Sequence, residues 1–223
     1  MIPGAYSATT KQATGTITFI GHAGKNASLG GQTITYHASS ASGDLLLLIV
    51  QADDADTIGV PTGWTSLSSR SYAPFARVRI MYKFKTTDTD VYVSDVGDHQ
   101  CSSVLTFRNV DASLTAGTAA GGTLSNYFNG QITGVTTTDD GAFVLWIGIH
   151  DAPSNSSQAS SWSNANITGG AELIDICTDI SWDGGFAVWG GIKTTAGATG
   201  DTTVTWASDV DGIIYYVLPL KPA

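Results

Sequence analysis

The chain has 223 residues, of which 42% are hydrophobic and 13% charged, with a net charge of -9 from 10 basic and 19 acidic side chains. A chain of this length folds as one large all-β domain or two fused half-domains, and buries enough surface to need neither a disulfide nor a metal. The negative balance argues against nucleic acid and anionic membrane as partners, since neither phosphate neutralisation nor lipid attraction works with that sign. From the N-terminus, residues 1–14 carry no hydrophobic pattern and predict an extended arm. They also lack the basic and apolar regions of a secretory signal, so the expectation is a chain made without export. The longest apolar run, residues 45–50, is too short to span a bilayer. Residues 16–20 and 32–36 alternate apolar with polar, as half-exposed strands do. Within residues 44–51 the run Leu45 to Val50 is uninterrupted in its apolarity, which predicts a central strand buried on both faces. An acidic loop, Asp53-Asp54-Ala55-Asp56, and then Pro61-Thr62-Gly63-Trp64 follow. Tyr72 stands in the predicted loop Ser71-Tyr72-Ala73-Pro74-Phe75, ahead of a strand Met81-Tyr82-Lys83-Phe84 that ends in Lys85-Thr86-Thr87. An Asp-rich turn at 95–98 leads into a last apolar strand, residues 101–107.

Residues 111–130 are rich in Ala, Gly, Thr and Ser without apolar periodicity, and read as a long connection. Beyond it the succession begins again. Residues 142–149 repeat the doubly buried strand, and Trp162 follows at the same offset of 98 that separates Gly43 from Gly141. Trp182, in Ser181-Trp182-Asp183-Gly184-Gly185, takes the place of Tyr72. Lys193-Thr194-Thr195 repeats Lys85-Thr86-Thr87 at an offset of 108, so the second copy carries a short insertion. Residues 202–206 alternate, and an Asp-rich turn at 209–211 enters the closing strand 212–218. No window has a helical period with caps. With 26 Gly and Glu172 as the sole Glu, the composition also favours turns and strands over exposed helix faces. The expected architecture is an all-β, jelly-roll-like β-sandwich with little or no helix. It consists of the arm 1–14 and one domain 15–223, whose pseudo-repeats span about 15–110 and 131–223.

Chemistry is sparse. His22, His37, His99 and His150 are the only histidines, and no nucleophile elbow accompanies a serine. Cys101 and Cys177 lie in apolar runs, where a thiol acts as a small core hydrophobe. Glycoside hydrolysis needs two carboxyl groups of different pKa across a sugar, and turn formation already accounts for the aspartates beside Gly, Pro and Ser. The acidic loop 53–56 and the pair Asp209 and Asp211 fit no calcium loop, and no zinc spacing or phosphate cradle is present, so no cofactor or metal is expected. Trp64 and Trp162, repeated between the halves, read as core or corner residues. Tyr72, Trp182 and Asp183, on pseudo-equivalent loops, are the candidate ligand-binding residues: aromatic rings beside Asp or Ser offer a stacking face for a sugar or a subunit contact.

The order of an apolar strand Gly43-Asp44-Leu45-Leu46-Leu47-Leu48-Ile49-Val50, then Pro61-Thr62-Gly63-Trp64, Met81-Tyr82-Lys83, Lys-Thr-Thr and a closing strand resembles a β-sandwich module of tailed-bacteriophage virion proteins. The resemblance spans about residues 15–220. It implies a non-enzymatic structural or adhesive component of the virion, assembled in the bacterial host cytoplasm. Its partners would be capsid or tail subunits and further copies of itself, with a host surface glycan as the ligand of an adhesin. Lacking heptads or a collagen-like repeat, the chain suits a compact capsid decoration or cement protein better than a tail fibre. A receptor-binding tail protein is the alternative, and a polysaccharide hydrolase the third reading.

Overall fold

The computed structural model describes residues 15–27, 30–52, 57–72, 76–94, 99–114, 120–124, 129–150, 159–178, 184–206 and 213–223; the arm 1–14 lies outside them. The first half contains β1 (Thr18–Ala27), β2 (Gln32–Thr35), β3 (Leu45–Ala52), β4 (Thr65–Tyr72), β5 (Ala76–Phe84), β6 (Asp90–Val93) and β7 (Gln100–Arg108). The second contains β8 (Ala120–Leu124), β9 (Asn129–Ile132), β10 (Thr136–Thr137), β11 (Ala142–His150), β12 (Ala159–Ser163), β13 (Thr168–Thr178), β14 (Gly184–Lys193), β15 (Gly197–Ala198), β16 (Thr202–Trp206) and β17 (Ile213–Leu220). The described residues include no helix.

Two antiparallel five-stranded sheets dominate, ordered β1-β7-β3-β5-β4 and β13-β14-β11-β17-β8. Reading the second in reverse puts β8, β17, β11, β14 and β13 where the first has β1, β7, β3, β5 and β4, so the duplicated order extends to the strand pairing. Smaller sheets accompany each: β2 with β6, and β12-β16-β9. β10 and β15 form a short separate ribbon.

The apolar runs acquire a physical reason here. In β3, Leu45, Leu47 and Ile49 face one hydrophobic cluster, while Leu46, Leu48 and Val50 face another beneath β2 and β6. Because successive side chains of a strand point to opposite faces, a strand with a core on both sides is apolar along its centre, and the buried polar residues Gln51 and His150 fall towards the ends of β3 and β11. β11 repeats this: Leu145, Ile147 and Ile149 join the first cluster, while Val144 and Trp146 join a third under β9 and β16. The first cluster draws on strands of both large sheets and so on both halves, with Phe107, Leu105, Tyr216 and Leu218 among its members. Burying each such leucine contributes roughly 1.5–3 kcal/mol.

The connection 111–130 departs from expectation, since β8 and the first residues of β9 form within it. β8 pairs with β17, setting Gly121 opposite Tyr216 and Gly122 opposite Tyr215. A Cβ at Gly121 would lie 2.9 Å from the Tyr216 ring, and one at Gly122 2.6 Å from the Tyr215 hydroxyl. The strand therefore requires glycines where hydrophobic periodicity would otherwise announce it. The ten additional residues between Trp162 and Lys193, compared with Trp64 and Lys85, fall in the rest of β12, its turn into β13, a longer β13 and the segment before β14. The chain ends by bridging Val110 to Pro222. The Ala223 N–H donates to the Asn109 carbonyl at 3.0 Å, and the Asn109 side-chain amide donates to the Thr16 carbonyl at 3.0 Å.

Candidate binding groove

The halves differ most beside their smaller sheets. In the second half β12 pairs with β16, completing three strands. In the first half the described residues 57–64 leading to its tryptophan make no strand. Pro61 has no N–H to donate, and the Trp64 N–H closes a turn onto the Pro61 carbonyl at 3.1 Å, with Gly63 at φ 81°. That left-handed value is one glycine adopts without the steric cost other residues meet. Between this turn and β6 lies a groove of about 490 Å³, closed at one end where Gly59 approaches Ser94, a Cβ there lying 3.3 Å from its hydroxyl.

Trp64 and Tyr36 line the groove, with ring centroids 6.4 Å apart in an edge-on arrangement. One wall is the loop through Val60 and Pro61; the other is β6, with Asp90 and Tyr92 on its outer face. Val60 is 43% exposed and Tyr92 62% exposed, and they are the exposed large hydrophobics among the described residues. Both border this groove. At one end the Tyr36 hydroxyl donates to the Asp88 carboxylate at 2.7 Å, and Lys83 Nζ does so at the same distance. Thr86 donates to its second oxygen at 3.0 Å. Burial alone would raise the Asp88 carboxyl, but these three donors outweigh it and hold the group well below the usual carboxylate range. Tyr36 moves the other way: burial, and then the neighbouring Asp88 charge, push its hydroxyl well above the usual phenol value. The Lys83 ammonium lies 5.8 Å from the centre of the Trp64 ring. Lys83 and Asp88 neutralise each other, which leaves Asp90 as the uncompensated charge of the groove.

Of the residues singled out from sequence, Tyr72 is the last residue of β4, paired with Ala76, and its half-buried ring packs against the first cluster. It is thus part of a strand and not of an open loop. Trp182 and Asp183 lie outside the described residues, as do the acidic segments 53–56 and 209–211. Trp64 is 8% exposed, and Trp162 packs against Trp189 and Trp206 at 6.3 and 6.0 Å; both are packing residues, as their repetition suggests. Tyr92, Val60, Lys83 and Asp88 were not singled out. The available signals were the alternation Asp90-Val91-Tyr92-Val93, which turns Tyr92 outward, and the Pro-Thr-Gly that stands where the other half has serines.

Cys101 and Cys177 are free and buried, and burial, followed by the proximity of Cys177, pushes the Cys101 thiol upward. His99 and His150 are fully buried. Glu172, whose carboxyl burial and then Asp175 raise, accepts from the Trp162 indole at 3.1 Å, while Asp175 accepts from the Ala159 N–H at 2.9 Å. These two carboxylates tie β12 to β13. A second opening of about 300 Å³, lined by Leu114, Thr137 and Leu220, is bordered by Lys221, which sits 3.9 and 3.6 Å from Asp111 and Asp139. No group of three His, Cys, Asp or Glu suited to a metal ion occurs among the described residues. No family model, curated protein or solved structure matches the chain.

Proposed function

We propose that this chain is a non-enzymatic structural protein of a bacteriophage virion, displayed on the particle surface as a capsid decoration or cement protein and present in many copies. Its two large sheets are read as the inner walls of one jelly-roll-like β-sandwich built from two pseudo-repeated halves. The partners are other virion proteins and further copies of the chain. The observation that carries this reading is the asymmetry between otherwise equivalent halves: one smaller sheet is complete and the other stops one strand short, beside an open groove. An incomplete sheet edge next to exposed apolar side chains is a surface made for assembly.

The test is to label the chain and locate it on purified particles by electron microscopy. Label spread over the icosahedral shell is the expected result, and absence from particles overturns the proposal. Label confined to the tail tip would instead support the receptor-binding reading. That second reading draws on the exposed ring of Tyr92 beside Asp90, a pairing of stacking face and hydroxyl acceptor suited to a neutral sugar.

A further inference from the structure

We infer that the groove beside β6 receives residues 7–11 of a second copy of this chain, added as an antiparallel strand. The inference rests on the assembly reading above and gives it a mechanism.

The second half supplies the template. There β16 has β9 on one side and β12, antiparallel, on the other. In the first half β6 has β2 on one side and the groove on the other. Antiparallel ladders alternate, so a residue whose backbone bonds to one neighbour is followed by one whose backbone faces the opposite side. The Tyr36 N–H donates to the Thr89 carbonyl at 2.8 Å. This sets the parity: Val91 and Val93 face β2, and the backbone groups of Asp90 and Tyr92 face the groove. A strand laid there would find donors and acceptors ready, which is the basis of recognition by strand addition.

The occupant follows from register and charge. Residues 5–11, Ala5-Tyr6-Ser7-Ala8-Thr9-Thr10-Lys11, contain no Gly or Pro and so raise no obstacle to a strand. Running antiparallel to β6 with Lys11 opposite Asp90, the segment sets Thr10, Thr9, Ala8 and Ser7 opposite Val91, Tyr92, Val93 and Ser94. Ala8 and Thr10 then share the inward face with the buried valines, as buried Ala159 does in β12. Lys11 shares the outer face with Asp90, the charge left uncompensated in the groove, and such a cross-strand pair favours this register. The arm comes from another copy because of reach. β2 lies against β1 and β7, so the open side of β6 faces away from the strand into which residue 15 leads. Crossing one layer of about 10 Å and two to three strand spacings of about 4.8 Å amounts to roughly 15 Å. The four residues from Lys11 to Gly15 extend at most about 14 Å, with nothing left for turning.

The experiment measures self-association of the full chain by sedimentation, beside a chain lacking residues 1–14 and the variants Tyr92→Pro, Asp90→Lys and Lys11→Asp. Proline at 92 removes a donor facing the groove and leaves the β2 pairing intact; circular dichroism establishes that each variant is folded. The expected result is concentration-dependent association of the full chain, weakened at least tenfold by the truncation and by each substitution, and restored when Asp90→Lys and Lys11→Asp are combined. A full chain that stays monomeric, association that survives the truncation or Tyr92→Pro, or a combined variant no better than its parents overturns the inference. So does quenching of tryptophan fluorescence by neutral monosaccharides with association unchanged. Association that depends on the arm, in a chain absent from particles, would overturn the virion reading alone. A chain located on the shell whose association ignores the arm would overturn this inference alone.

Discussion

His150 closes β11 with no exposed surface, its ring 5.7 Å from that of Trp206, and burial pushes its pKa down to about 3. An imidazole that stays neutral when folded but titrates near 6.5 when unfolded takes up its proton on unfolding. The stability present above pH 6.5 therefore falls as the pH drops towards 3, by about 1.4 kcal/mol per pH unit. Thermal midpoints are expected to decline between pH 6.5 and 4, and His150→Leu to flatten that decline; equal slopes in the two proteins would refute the assignment. Asp88 acts in the same direction at lower pH, because its carboxyl is held below its unfolded value, so the two windows separate. Two residues earlier, Gly148 lies against the Trp206 indole where any Cβ would collide with it. Trp206 is itself fully buried and has nowhere to retreat, so Gly148→Ala should cost about 1–3 kcal/mol in denaturant titrations.

Among the elements, β8 depends on two glycines beneath Tyr215 and Tyr216. Gly122→Val should detach it from β17 while leaving the centre of the sheet intact. Hydrogen exchange should then accelerate at residues 120–124, with β11 remaining protected; protection retained at β8 would show that the close approach is unnecessary. The same strand marks the limit of what periodicity conveys. β3 and β11 were legible because a strand between two cores is apolar along most of its length, and 202–206 was legible because a strand with one wet face must alternate. β8 was not, since an edge that accommodates two tyrosine rings is specified by the absence of side chains. The groove was half legible. Pro61 and Gly63 announce a turn, but only the pairing of β12 with β16 shows that the turn replaces a strand. The loop expected around Tyr72 illustrates a related limit: sequence spacing cannot distinguish the last residue of a strand from the first of a loop, and Tyr72 is the last residue of β4.

At the scale of the molecule, one hydrophobic cluster takes residues from both large sheets, and a core shared in this way predicts that they unfold together. Five of the six tryptophans, at 146, 162, 182, 189 and 206, belong to the second half, and Trp64 alone to the first. Tryptophan fluorescence therefore reports chiefly on the second half, and Leu47→Ala removes packing from the first. Truncating a buried leucine costs about 2–5 kcal/mol, and with a common core the fluorescence transition should move to lower denaturant by that amount in a single step. An unmoved transition would mean that each half stands by itself. Asn109 imposes a further condition on the whole. It bonds to Thr16 through its side chain and to Ala223 through its carbonyl, so the two ends of the described chain meet at one residue. A few added residues could splice 223 to 15, with a new opening cut between β7 and β8, and every described strand would keep its partners. Such a circular permutant, in which the second half is translated before the first, is expected to fold with the parent fluorescence spectrum. The molecule would then be indifferent to which of its halves the ribosome delivers first.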